Sequence, residues 1–331
     1  MRLPLSEALR AMGAEARPAP TGDPVLTGVS IDSRTAGPGD LFVALRGDVH
    51  DGHDFVPETF RRGAVAALVS RPVEGAGGVQ VVVPDPVAAL TALAAHVRRE
   101  GNPFVVGITG SVGKTTTKDL TAAVLGRRLR TVAALRSFNN DLGVPLTLLG
   151  ADPETEVVIC ELGARGPGHI AALTRFVRPD VGVVTNIGVS HFGEFGSHEA
   201  IAEGKAELVR ALPETGAAVL NADDPAVARM ARLAPGEVLT FGVSPEAFVR
   251  AEQVEWNDRG RPAFRVTLNE RAVIRGLMAG GGSAWVSLRV SGRHQVSNAL
   301  AAVATGIALG VPLEEAAAGL QEAVLSPWRM E

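Results

Sequence analysis

Tyrosine is absent and aromatic side chains make up only 4% of the 331 residues, a composition that reads as genomic bias toward alanine and glycine and carries no function. A single cysteine excludes an internal disulfide. Its place in the apolar run Val157-Val158-Ile159-Cys160 reads as a buried thiol in a reducing compartment. No run of 18 or more apolar residues exists, so no membrane span is expected. The first residues, Met1-Arg2-Leu3-Pro4-Leu5-Ser6-Glu7, have no apolar signal core, and the expected location is the cytoplasm. Charge of one sign is missing too. The 32 basic and 36 acidic residues are interspersed, giving a net charge of −4 with no basic stripe, which argues against a nucleic-acid partner and for a small ligand.

At roughly 100 to 200 residues per domain, the length predicts about two domains, each able to bury a core. The stretch Val105-Val106-Gly107-Ile108-Thr109-Gly110-Ser111-Val112-Gly113-Lys114-Thr115-Thr116-Thr117 organises the chain: an apolar strand, a glycine turn, then a helix start. This is the pattern of a phosphate cradle. Glycines let backbone N–H groups converge on an anion, the helix N-terminus favours negative charge, Lys114 reaches terminal phosphates, and the Thr115 hydroxyl is placed for magnesium. The usual pattern has glycine six residues before the lysine, where this chain has Ile108.

Residues 1 to about 100 alternate short strands with turns and helical stretches, closing with a helix from Pro86 to about Arg99 that carries Val87, Leu90, Leu93, Ala94 and Val97 on one face. Glu100-Gly101-Asn102-Pro103 then breaks the pattern, so the domains are expected at 1–102 and 103–326, with 327–331 beginning a linker. His50 and His53 in one short loop, and the cluster Asp32, Ser33, Arg34 and Arg46, read more simply as solvated turns than as a metal or anion site. From Phe104 to about Asn221, strands alternate with helices, which predicts a mostly parallel α/β sheet. The strands are expected at Phe104–Ile108, Val157–Cys160, Val181–Thr185 and Ala217–Leu220. Ligands gather at the C-terminal ends of such strands. There stand the phosphate loop, Glu161 as a magnesium-holding carboxylate, Asn186 to His191, and Asn221 to Asp224.

In the helical stretch Glu199 to Leu212, Lys205 falls within the apolar stripe of Ile201, Leu208 and Leu212. Such a lysine is paired, has a depressed pKa or is modified, for instance as a carbamate; the alternative is a side chain that snorkels at the stripe's edge. A β-rich extension is expected from Pro225 to Trp285, then a strand at Val286–Val290 and helices at Ala299–Leu309 and Leu313–Val324. His294 and Asn298, four apart, share a helical face and either present polar edges to a ligand or cap a helix.

Together these residues resemble the Mur ligases over essentially the whole chain. The resemblance rests on Asp32-Ser33-Arg34; Pro38-Gly39-Asp40-Leu41-Phe42-Val43-Ala44-Leu45-Arg46-Gly47; Asp51-Gly52-His53-Asp54-Phe55; and Thr109-Gly110-Ser111-Val112-Gly113-Lys114-Thr115-Thr116-Thr117-Lys118. It continues through Ser137-Phe138-Asn139-Asn140-Asp141-Leu142-Gly143-Val144-Pro145-Leu146-Thr147, Glu161-Leu162-Gly163-Ala164, Thr185 to His191, and Glu203-Gly204-Lys205-Ala206-Glu207. The family's shorter phosphate loop accommodates Ile108. The fold implied is a small N-terminal α/β domain that binds the UDP end of the substrate, followed by a phosphate-loop, mostly parallel α/β ATPase domain with the β-rich extension.

The resemblance implies ATP held by Gly110, Ser111, Val112, Gly113, Lys114, Thr115 and Thr116, with His294 and Asn298 near adenine and Arg329 near the terminal phosphate. It implies two magnesium ions, one on Thr115 and Glu161 and a second near His191 and a carbamylated Lys205; Lys114, Glu161, His191 and Lys205 form the catalytic set. Asn139 and Asn140 are expected at the reacting centre, and Ser33, Arg34 and the loop around Gly47 on the uridine diphosphate. Within the family, the Phe138-to-Thr147 stretch is similar to the member type that joins UDP-N-acetylmuramoyl-tripeptide to D-alanyl-D-alanine through an acyl phosphate, and a monomer is expected. The alternatives are the sister ligase that adds the third stem-peptide residue, a folate polyglutamylating ligase, disfavoured by the first domain, and a nucleotide-binding module without turnover. A GTPase-like switch is weakened by the lack of an Asn-Lys-x-Asp motif. Gln295 stands where asparagine is usual and His169 where an acidic residue is common. A third domain after Pro327-Trp328-Arg329 is part of the family pattern, so the chain is expected to be a fragment of a longer protein.

Overall fold

The computed structural model describes residues 1–134, 137–188, 196–269 and 282–326, and of 273–274 and 277–278 the backbone. His191 and Arg329 lie outside the described residues. The chain divides into two compact units, Met1–Asn102 with Asp141–Glu154, and Pro103–Asn140 with Thr155 onward. The excursion Asp141–Glu154 differs from the continuous second domain expected from sequence. Its helix Gly143–Leu149 buries Val144, Leu148 and Leu149 within the first unit, a tertiary preference no local pattern announces.

In the first unit, a five-stranded sheet runs Ala16–Arg17, Val79–Val82, Ala66–Val69, Asp40–Val43, Gly28–Ser30. The last four strands are parallel and Ala16–Arg17 is antiparallel. The helix Pro86–Gly101 starts where the Asp85 carboxylate accepts the N–H groups of Val87 and Ala88 at 2.9 and 3.1 Å, with Pro86 in the first turn. It buries Ala89, Leu90, Leu93 and Ala94, while Val87 and Val97 are half-buried. His53 is buried: its Nε2 accepts the Ser70 N–H at 3.0 Å, so its Nδ1 donates to Asp51 Oδ1 at 2.6 Å. Both ring nitrogens are therefore committed inside the protein, and the His53 backbone N–H, followed by its ring N–H, holds the Asp51 carboxyl well below the usual range.

The second unit is built on a nine-stranded sheet among the described residues. Its elements are β1 (Phe104–Thr109), α1 (Lys114–Leu125), β2 (Thr131–Ala133), β3 (Val157–Glu161), α2 (His169–Val177), β4 (Val181–Val184), α3 (His198–Arg210) and β5 (Ala217–Asn221). There follow β6 (Glu237–Gly242), β7 (Val249–Trp256), β8 (Pro262–Leu268), β9 (Ser283–Ser287), α4 (His294–Ala308) and α5 (Leu313–Glu322). The strand order is β9-β8-β7-β6-β5-β4-β1-β3-β2, parallel from β2 through β7 and antiparallel at β8 and β9. The β-rich stretch is thus a continuation of the same sheet, and it is preceded by a short helix, Pro225–Ala228, and a 3-10 turn, Arg229–Leu233, that the sequence reading did not separate. The strand expected at Val286–Val290 instead ends at Ser287, α4 begins five residues earlier than expected, at His294, and α5 stops at Glu322.

Two faces of β1 explain the layers. Val106 and Ile108 join a core with Leu120 and Val124 of α1 and Ala299–Ala304 of α4. On the other face Gly107 lies opposite Gly182 of β4, where a Cβ would lie 3.1 or 3.2 Å from the Leu208 side chain. Helix α3 therefore rests on a floor of two glycines. A similar approach brings α5 onto α1, because a Cβ on Gly319 would lie 2.7 Å from the Ala123 carbonyl oxygen and 3.0 Å from Val124 Cα. Backbone cannot give way as a side chain can, so Gly319→Ala is expected to cost about 1–3 kcal/mol, seen as a lower urea midpoint at unchanged slope.

Candidate functional site

Strand β1 ends at Thr109, and the turn to α1 passes through Gly110 (φ +151) and Gly113 (φ +84), conformations that glycine alone takes readily. A Cβ at Gly113 would also lie 2.5 Å from Asn298 Oδ1. The loop is held from β4's end. Asn186 accepts the Val112 N–H and donates to the Val112 carbonyl, both at 3.0 Å, while the Gly188 N–H donates to Ser111 Oγ at 2.8 Å and Thr185 Oγ1 to the Val112 carbonyl at 2.8 Å. No side chain caps α1 at Gly113, and a helix N-terminus favours an anion. Lys114 folds back so that its Nζ donates to the Gly110 carbonyl at 2.8 Å.

Glu161 ends β3, 1% exposed. Its two oxygens accept the Thr115 hydroxyl at 2.9 Å and the Asn139 amide at 2.8 Å, and Thr115 also meets Ser137 Oγ at 3.2 Å. The Gly163 N–H donates to the Asn139 carbonyl at 2.8 Å, which fixes that connection against β3's exit. These groups open onto a cavity of about 660 Å³ lined by Ser111, Val112, Gly113, Lys114, Thr115, Thr116, Ser137, Asn139, Glu161, His294 and Gln295. A carboxylate, a hydroxyl and backbone N–H groups around one cavity suit a phosphate chain with a hard divalent cation.

Lys205 lies in α3 with Ile201 and Leu208 buried beside it, and at 2% exposure it does not snorkel to solvent. It has no hydrogen bond or ion pair among the described residues, and it lines a second cavity of about 110 Å³ with Lys114, Asn139, Asn140, Gly163, Ala164, Arg165 and His169. Burial, and then the charge of Lys114, lower its pKa to about 8. Glu207, one half-turn on, accepts the N–H groups of Gly168 and Ala171 at 2.6 and 2.8 Å and so seats the start of α2, with His169, beside α3.

The two cavities share Lys114 and Asn139, so the structure brings together most of the residues singled out in the second unit. Asn298 is placed differently from its neighbour His294: it is buried, accepts the Thr117 hydroxyl at 3.2 Å and donates to Gln295 Oε1 at 3.0 Å, while His294 is exposed at the cavity wall. Ser33, Arg34 and Gly47 belong to the first unit, on the turns that follow its parallel strands Gly28–Ser30 and Asp40–Val43. There Arg34 forks onto Asp32, with Nε and Nη2 at 2.9 and 2.7 Å, and these donors pull the Asp32 carboxyl down to about 2. Ser137, Arg165 and Gln295 line the cavities without having been assigned a role from sequence. Ser137 carries no local signal, since only the closure of its connection onto Thr115 gives it one.

The lysine predicts a pH dependence. Folded Lys205 gives up its proton near 8, whereas the unfolded chain holds it to about 10.5, so the unfolded state binds more protons in between. Stability relative to Lys205→Met is therefore expected to rise with pH across that window, by about 3 kcal/mol in all, and to be flat below it; paired urea titrations measure this.

Comparison with known proteins follows the same outline. The model of the Mur ligase middle domain matches residues 108–306, and that of the Mur ligase family catalytic domain matches residues 25–100. A UDP-N-acetylmuramoyl-tripeptide–D-alanyl-D-alanine ligase from Mycobacterium bovis is 41% identical over 320 residues, covering 89% of this chain and 60% of the relative. The ligase of the same name from Escherichia coli is 36% identical over 308 residues, covering 93% and 66%. The chain thus spans about three-fifths to two-thirds the length of these relatives. The crystal structure of MurF from Acinetobacter baumannii superposes with a TM-score of 0.85 at 32% identity, over 100% of this chain and 70% of that one. MurF ligase from Thermotoga maritima, solved in complex with ADP, gives 0.74 at 28% identity over 91% and 67%. With its phosphate loop, its buried glutamate and both family models in register along it, the chain belongs to the Mur ligase family.

Proposed function

We propose that the chain binds ATP and UDP-N-acetylmuramoyl-tripeptide as part of an ADP-forming ligase that joins the tripeptide's carboxyl group to D-alanyl-D-alanine in peptidoglycan precursor synthesis. The observation that carries this reading is Glu161, buried and met by Thr115 and Asn139 at the mouth of a glycine-shaped anion loop. The names of relatives at 36–41% identity supply the substrates. Residues 103–326 serve the nucleotide and 1–102 the uridine diphosphate, the latter through Ser33, Arg34 and the turn at Gly47. The protein works as a monomer in the cytoplasm; no described helix is long and apolar enough to cross a membrane.

The residues present fit a magnesium nucleotide. A side chain at Gly113 would be strained by its φ of +84 and would crowd Asn298, no side chain caps the start of α1, and Thr115 with Glu161 offers hard oxygen donors. Bound magnesium would neutralise charge on the nucleotide's phosphates. Lys114 brings a cation to the oxygens of the group in transfer, the substrate carboxylate attacks the γ-phosphorus, and the broken bond's electrons leave on ADP. The amine of D-alanyl-D-alanine then attacks the acyl phosphate's carbonyl carbon, losing a proton and expelling inorganic phosphate. Asn139 and Asn140, which line the smaller cavity, would orient the reacting groups. Lys205, partly neutral near pH 8, is suited to form a carbamate that, with His191, would hold a second magnesium ion.

Calorimetric titration of the chain with a non-hydrolysable ATP analogue plus magnesium, and separately with UDP-N-acetylmuramoyl-tripeptide, tests the proposal. Lys114→Ala is expected to lose nucleotide affinity by about tenfold or more while binding the tripeptide as before. Failure of the tripeptide to bind either protein would sink the substrate assignment. With labelled bicarbonate, a carbamate resonance is expected in the parent chain and absent in Lys205→Arg.

A further inference from the structure

The group Asn221-Ala222-Asp223-Asp224, at the C-terminal end of β5, lines neither cavity and has no part in the proposed chemistry. The pairing of β4 with β5 ends at Val184 and Leu220, so on that side the backbone ladder stops short of the segment 185–188. Two side chains continue it. The Asn221 amide, 7% exposed, donates to the Thr185 carbonyl at 2.8 Å, and one Asp224 carboxylate oxygen accepts the Ile187 N–H at 2.7 Å. Both side chains are themselves fixed. Asn221 Oδ1 accepts the Asp223 N–H at 2.9 Å, and the other Asp224 oxygen accepts the Ala226 and Val227 N–H groups at 2.9 and 3.3 Å, capping the short helix Pro225–Ala228, in which both of those residues are buried. A longer contact, 3.4 Å from His198 Nε2 to the Ile187 carbonyl, holds less.

The opposite edge of the same segment braces the phosphate loop. There Thr185, Asn186 and Gly188 bond to Ser111 and Val112, and the Ser111 N–H adds a bond to the Asn186 carbonyl at 3.0 Å. Three neighbouring strand ends thus lean on one another in the order β5, β4, β1, and the glycine loop is the last of them. An anion site built from a loop binds strongly only if the loop is already in shape, because ordering it on binding costs affinity. Resting on the reading of this loop as nucleotide-binding, we propose that Asn221 and Asp224 are positioning residues for it: they hold Thr185 and Ile187 in register and, through Asn186 and Gly188, keep residues 110–113 in the shape that receives phosphate. Every polar atom of the two side chains is engaged within the protein, so neither touches the ligand. Their contribution is to order the loop before the nucleotide arrives.

Asp224→Asn separates this role from two simpler ones. The isosteric amide keeps one acceptor, and with two cap N–H groups on one side against Ile187 on the other, its oxygen stays with the cap while its NH2 group meets the Ile187 N–H, donor against donor. Were Asp224 to act through its charge, removing that charge near an anion site would tighten nucleotide binding. Were it only a helix cap, the folded variant would bind as the parent does. Calorimetry with the non-hydrolysable ATP analogue and magnesium is expected to show binding about tenfold weaker than in the parent. In the unliganded variant, hydrogen exchange is expected to rise in the peptide spanning residues 109–117 and to stay at the parental level in α5. Asn221→Ser, which is uncharged, keeps an acceptor for the Asp223 N–H and is too short for the Thr185 carbonyl, is expected to do the same. Asp224→Ser, able to cap the helix without reaching Ile187, takes the place of Asp224→Asn if that variant does not fold. Parental or tighter nucleotide binding by either folded variant would overturn the proposal, as would parental exchange over residues 109–117 or a rise spread equally into α5. Absence of nucleotide binding by the parent would instead overturn the nucleotide reading beneath it.

Discussion

A carboxylate with 1% exposure is the constraint on which the second unit's site depends. Glu161 cannot stay buried and charged without donors, and the two it has come from different elements: Thr115 from the helix after β1 and Asn139 from the connection before the excursion into the first unit. Meeting that need draws the connection over the mouth of the phosphate loop, and the Gly163 N–H closes it by binding the Asn139 carbonyl. A single buried charge thereby sets where the loop, the helix start and the connection stand.

The glycines do the complementary work of removing obstacles. Gly107 and Gly182 flatten one face of adjacent strands so that α3 lies close, which places Lys205 against the same loop and next to Lys114. Gly113 clears room beside Asn298, so that α4 can pack against α1 with a buried amide bonded to Thr117. The depressed pKa of Lys205 follows from this packing: the lysine is buried first, and the second cation is brought near as a consequence.

Much of the sheet was legible because strands covered on both faces must be apolar along their length, as Val157–Cys160 and Ala217–Leu220 are. The boundaries were less so. At His294 the helix begins earlier than its small-residue run suggests, and the strand before it ends at Ser287 where pairing with Ala263 ends. Asn298 shows the limit of reading a helical face: its four-residue spacing from His294 is correct, yet one residue meets the cavity and the other is sealed between helices. Which side of a face is solvent depends on a partner helix that lies far away in sequence.

The sequence by itself determined the order of strand, glycine turn and Lys-Thr helix start, because backbone conformation and anion affinity there are local properties of those residues. It also determined that Lys205 stands in an apolar stripe, since helical periodicity is local too. Only the tertiary structure decided that Asn139, Ser137 and Glu161 converge on Thr115, that residues 141–154 pack with the first unit, and that Asp119 holds Ser326, 207 positions along the chain. Those pairings are long-range, and each is fixed by the need to satisfy buried polar groups and fill a core once the sheet has brought its segments side by side.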